Sequence, residues 1–172
     1  IIVAIGACKE GILPLKSGAS ISAVTFLEDY KCTEGDMDIG SQVVVVGGGN
    51  TAMDTARAAV RVKGVEKVTL IYRRTKRYMP ADAEELMLAM EEGVEFMELL
   101  APVSFDGKIL TCHRMELGEP DASGRRSPVE TEETVEIPAD VVIAAVGEHL
   151  DDEFYRRNGI MMTYGGKGAV DA

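Results

Sequence analysis

Hydrophobic residues along this chain recur in two rhythms, and glycines mark most of the places where one rhythm gives way to the other. Val43-Val44-Val45-Val46 is an unbroken apolar run that enters Gly47-Gly48-Gly49. Such a run is too apolar for a strand with one wet face, and burial on both faces of a parallel sheet accounts for it. From Asn50 to Lys63 the period becomes helical. Ala52, Ala56, Ala59 and Val60 share one face, with Asp54, Arg57 and Arg61 directed to water. Gly64 ends this helix and Lys67 to Tyr72 forms the next strand, completing a strand–helix–strand unit.

Further along, Asp82 to Glu85 reads as a capping box behind Pro80. It opens a helix to Glu92 in which Met87 and Met90 are core residues, and Gly93 stops it. Val94 to Leu99 is a third strand. Short alternating stretches follow: Pro102 to Phe105, a turn at Asp106-Gly107, Ile109 to Leu117, a polar loop from Gly118 to Ser127, and a strand near Thr134 to Ile137. Asp140 to Val146 returns as an apolar strand ending in Gly147. Upstream, residues 1–6 read as a buried strand, Ser22 to Tyr30 as a short amphipathic helix, and Lys31 to Gly40 as a polar linker. Beyond Glu148 come a helical turn, Asp152 to Arg157, and glycine-rich extended chain. The predicted fold class is α/β: a Rossmann-like three-layer domain with a central parallel sheet and an antiparallel β-meander excursion.

A chain of 172 residues, 46% hydrophobic and 27% charged, has the composition of a globular protein with a real core. The net charge of −11 argues against nucleic acid and anionic membrane as partners. No run reaches the roughly 18 apolar residues of a membrane helix. The apolar opening meets Lys9 and Glu10 too soon for a signal peptide, and without an initiator methionine it reads as a piece of a longer chain. Cys8, Cys32 and Cys112 have no metal-like spacing, so no metal site is predicted. They are taken as buried thiols of a reducing, cytoplasmic compartment.

The candidate chemistry lies at the triple glycine. A strand turning tightly into a helix gathers free backbone N–H groups and the positive helix end at one point, which suits a pyrophosphate. Gly47-Gly48-Gly49-Asn50-Thr51-Ala52 follows the dinucleotide fingerprint, with alanine in its third small position. A tight structural turn is the alternative. About twenty residues on, where NAD-type sites carry an acid for the ribose hydroxyl, the chain instead has Arg73 and Arg74, followed by Lys76 and Arg77. Cations there suit a 2′-phosphate, so NADPH is the expected ligand; a solvated charge run is the alternative. Gly147, at a strand end, is a candidate for close approach of the nicotinamide half or a plain turn.

Gly47 to Arg57, Tyr72-Arg73-Arg74-Thr75, Met79-Pro80-Ala81, Glu91 to Phe96 and Val142 to Gly147, in this order and spacing, resemble the NADPH-binding domain of the glutamate synthase small subunit. Similar modules occur in dihydropyrimidine dehydrogenase and selenate reductase-type proteins. The resemblance implies an NADPH domain inserted into an FAD domain of like fold. Val3 to Ala7 resembles the end of the first FAD-domain segment, and Gly168 to Asp171 the re-entry into the second. Residues 1–40 are then an FAD-type fragment plus linker, 41–147 the nucleotide domain, and 148–172 the return segment. The implied activity is hydride delivery from NADPH to FAD in the full-length protein, with an iron–sulfur or large catalytic subunit as partner. FAD is not expected to bind this fragment well. Hydride transfer needs no protein acid or base, so no catalytic residue is assigned. Two other readings stay open: a nucleotide-sensing domain without redox activity, and an acidic interaction module.

Overall fold

In the computed structural model, residues 6, 9–120, 124 and 126–161 are described. The chain divides into two compact units, residues 12–146, and residues 1–11 with 147–172. In chain order the first elements are β1 (Lys9–Glu10), β2 (Ile21–Ser22), α1 (Ala23–Thr33), β3 (Gln42–Gly47), α2 (Asn50–Val60) and β4 (Lys67–Tyr72). A 3-10 turn (Lys76–Tyr78), α3 (Ala83–Glu91), β5 (Val94–Glu98), β6 (Leu100–Phe105), β7 (Ile109–Pro120) and β8 (Arg126–Pro138) follow. The last are β9 (Val141–Ala145), β10 (Glu148–His149) and α4 (Asp152–Arg157).

The larger unit is built on a five-stranded parallel sheet in the order β2-β9-β3-β4-β5. Alternation along β3 explains its valine run. Val43 and Val45 join one core with Phe26 of α1, Ala52, Met53 and Ala56 of α2, and Leu86 of α3. Val44 and Val46 join the opposite core with Phe105, Leu110, Cys112 and Ile137 of the antiparallel sheet β6-β7-β8. Helices, parallel sheet and antiparallel sheet thus form three layers, as the sequence predicts.

Several boundaries and environments differ from expectation. The antiparallel strands extend into the expected polar loop from both sides, because the register of β7 with β8 runs from Ile109–Pro138 to Pro120–Arg126. Helix α1 begins one residue later, with the Ser22 hydroxyl capping the Val24 amide. It also runs on into the expected linker. Met87 and Met90 are exposed rather than core, since Leu86 and Ala89 are the α3 residues turned inward. Arg57 is not free in water, because α3 presents Glu85 to it, and Glu92 at the helix end adds a second carboxylate. Cys32 is exposed, whereas Cys112 is buried as expected. The predicted strand over residues 1–6, Cys8 and the segment Gly168 to Asp171 lie outside the described residues, save Gly6.

In the smaller unit, β1 and β10 pair antiparallel. Asp151 caps α4 through the amides of Glu153 and Phe154 and holds Lys9 at 2.9 Å. No helix among the described residues is long and apolar enough to cross a membrane.

Candidate functional site

The carboxyl ends of the parallel strands bring the predicted site residues between Gly47 and Arg77 to one edge of the larger unit. Val46 pairs with Ile71 of β4, and Gly47 pairs with Ala145 of β9. The three glycines there answer to different constraints. A Cβ at Gly47 would stand 2.3 Å from the Ala145 carbonyl oxygen, and one at Gly48 would stand 2.5 Å from the Tyr72 ring. At Gly49 it would meet nothing within 4 Å. The protein's own packing requires the first two, whereas the third borders open space.

Gly49 is the N-cap of α2 in extended backbone, and no side chain caps the helix. Among the described residues the amides of Asn50 and Thr51 donate to no protein acceptor. A helix start with free donors carries partial positive charge and receives anions. Ala52 is fully buried and keeps α2 close to the sheet. The side chain of Asn50 joins the starts of α2 and α3, because its Oδ1 accepts the Asp82 amide at 3.2 Å. Asp82 does occupy the N-cap position of α3, but its side chain caps no amide, so the expected capping box does not form. Glu85 is drawn to Arg57 at 3.1 Å instead.

The cationic segment is tied back to the glycine turn. Tyr72 lays its ring against Gly48, and its hydroxyl donates to the Tyr78 carbonyl at 2.8 Å. The Ala81 amide donates to the Gly48 carbonyl at 3.0 Å. Glu98, at the end of β5, accepts the Lys76 amide at 2.8 Å. Between these fastenings lie Arg73, Arg74, Lys76 and Arg77. None of these four cations forms an ion pair among the described residues. On a chain of net charge −11, an unpaired cluster of this kind is a local positive field.

The two arginines, equivalent in the sequence, are not equivalent in the structure. Arg73 is exposed, while Arg74 is only 8% exposed and its Nε has no partner. A buried guanidinium donor without an acceptor is costly, and an anion would satisfy it. Gly147 belongs to the smaller unit, where φ is +100° and its carbonyl accepts the Gly11 amide at 2.8 Å.

Two polar clusters brace the sheet and helices of the larger unit. Asp140 accepts the Ser41 and Gln42 amides at 2.7 and 2.9 Å, fixing the start of β3 beside β9. Those hydrogen bonds hold its carboxyl below the ordinary aspartate value. Arg57 donates to Glu92 and depresses that carboxyl likewise, and Arg61 adds to the effect. Burial pushes the Cys112 thiol up to about 12, so it is no nucleophile. Among the described residues no three His, Cys, Asp or Glu side chains are grouped to hold a metal ion. Sequence reasoning missed Tyr72, Glu98 and Asp140 as organising residues. For Tyr72 the available signal was an aromatic residue ending a buried strand ahead of the cationic run.

The whole chain, residues 1–172, matches the family described as pyridine nucleotide-disulphide oxidoreductase. It is 48% identical over 150 residues to YgfK of Escherichia coli strain K12, covering 87% of this chain and 14% of that protein. With the glutamate synthase [NADPH] small chain of the same strain it is 45% identical over 116 residues, covering 63% of this chain and 24% of that protein. The chain thus spans about a seventh to a quarter of the length of these two relatives. The Mycobacterium tuberculosis protein FprA, solved in complex with NADPH, superposes with a TM-score of 0.71 at 21% identity, over 85% of this chain and 49% of that one. At that identity the likeness concerns the fold.

Proposed function

The chain belongs to the pyridine nucleotide-disulphide oxidoreductase family, and from that premise we propose that it is the NADPH-binding module of a flavin-dependent oxidoreductase. One observation carries the reading: an uncapped helix start beside a glycine turn is fastened to a loop of four unpaired cations. The two features match the two anionic parts of NADPH. The pyrophosphate would take the amides of Gly49, Asn50 and Thr51, reached through the open side of Gly49. The 2′-phosphate would take the guanidinium groups of Arg73 and Arg74, with Lys76 and Arg77 adding charge. Ala52 contributes helix packing.

NADPH when bound supplies a hydride, and FAD in the full-length protein would accept it. The residues of this chain bind and orient the coenzyme; none needs to move a proton. We assign FAD to the rest of the parent flavoprotein, to which the segments outside residues 12–146 would belong. We also assign an iron–sulfur or large catalytic subunit as the onward partner. The NADPH in the name of the small-chain relative supports the coenzyme choice.

Calorimetric titration with NADPH and NADH tests the reading. NADPH is expected to bind at least tenfold more tightly, as about 1.5–3 kcal/mol per charge-assisted hydrogen bond to the 2′-phosphate requires. Equal affinities would remove the role of the cations. No binding of either by the intact protein would leave the acidic interaction module as the better reading.

A further inference from the structure

We infer that Tyr72 is a positioning residue that sets coenzyme preference, by latching the cationic loop to the glycine turn through two different parts of one side chain. The inference rests on the NADPH reading above. The ring and the hydroxyl act on different partners. The ring fills the space that a side chain at residue 48 would need, which fixes the turn. The hydroxyl donates to the carbonyl of Tyr78, the last residue of the 3-10 turn that carries Lys76 and Arg77. The Ala81 amide then closes the loop onto the Gly48 carbonyl.

A loop of long flexible cations binds a phosphate well only if its backbone is already in place, because ordering it on binding subtracts from the affinity. The Tyr72 hydroxyl supplies this order to the loop that would hold a 2′-phosphate. Its hydrogen bond goes to that loop and not to the helix start that would take the pyrophosphate. Its removal therefore discriminates between coenzymes that differ only in the 2′-phosphate.

The test is Tyr72→Phe in the intact protein, titrated with NADPH and with NADH. Phenylalanine keeps the ring against Gly48 and deletes only the hydroxyl. NADPH is expected to weaken by about threefold to tenfold, the effect of one neutral hydrogen bond, with NADH changed by less than about twofold. Hydrogen exchange of the loop amides in the nucleotide-free variant should quicken, while the α2 amides stay as in the wild type. Equal losses for both coenzymes, or no loss for either, would overturn the inference and leave the NADPH reading intact. A wild-type protein without preference for NADPH would overturn that reading, and the inference with it.

Discussion

The ring of Tyr72 occupies the place that a side chain on Gly48 would take, with ring atoms 2.5 and 2.6 Å from where a Cβ would stand. Strand β4 thereby determines what the turn after β3 can contain. Gly48→Ala should displace the ring, loosen the loop behind it and cost about 1–3 kcal/mol of stability, as overpacking does. Both coenzymes should bind more weakly. Thermal denaturation together with titration checks this.

Gly49→Ala makes the contrasting case. The added methyl meets no protein atom, and φ of −96° is ordinary for alanine. Stability should fall by no more than about 1 kcal/mol, the difference between glycine and alanine as an N-cap. If the pyrophosphate lies against this residue, NADPH and NADH should both lose affinity while Tm hardly moves. Unchanged binding would put the pyrophosphate elsewhere.

The two arginines should separate by experiment. Arg73→Gln alters an exposed side chain, so Tm should hold. NADPH affinity should drop by roughly tenfold to a hundredfold with NADH nearly unaffected. Arg74→Met removes a buried cation whose Nε lacks a partner, so the nucleotide-free fold should be as stable or more so. NADPH binding should nevertheless weaken. Paired melting curves with and without NADPH read both effects.

Asp140 gives a pH signature. Amide hydrogen bonds from Gln42 and Ser41 lower its folded value beneath the ordinary 3.8, so the unfolded chain binds that proton more readily. The stabilisation is complete above 3.8 and is lost as pH falls through the lower folded value. Asp140→Ala should therefore melt earlier than wild type at neutral pH, and the gap should narrow once the pH passes below that range. A gap that stays constant into strong acid would contradict the clamp.

The cysteines should differ in reactivity. Alkylation at mildly alkaline pH followed by peptide mapping should label exposed Cys32 and spare Cys112 until the fold is denatured, since burial holds the latter's thiol at about 12.

The central sheet was legible because a strand buried on both faces needs a continuous apolar run. The valines before Gly47 and the segment before Gly147 supply such runs. β8 was less legible: its outward positions carry Glu130, Glu132 and Glu136, and pairing with β7 rather than its own polarity makes it a strand. Helical periodicity could not decide which apolar side of α3 is wet, since Leu86 and Met87 are both apolar and only tertiary packing separates them. The glycines, the arginines and Ala52 were readable from local pattern. The Asn50–Asp82 and Tyr72–Gly48 contacts join residues whose relation exists only after the strands have paired.

The fastening of Ala81 to Gly48 has a consequence for redesign. Within residues 73–80, Arg73, Lys76 and Arg77 are exposed while Arg74 is buried and Met79 packs against the helical core, so those three cations can be exchanged without repacking the hydrophobic layers. Neutral or acidic residues at those three positions are a direct route to a chain that prefers the unphosphorylated coenzyme.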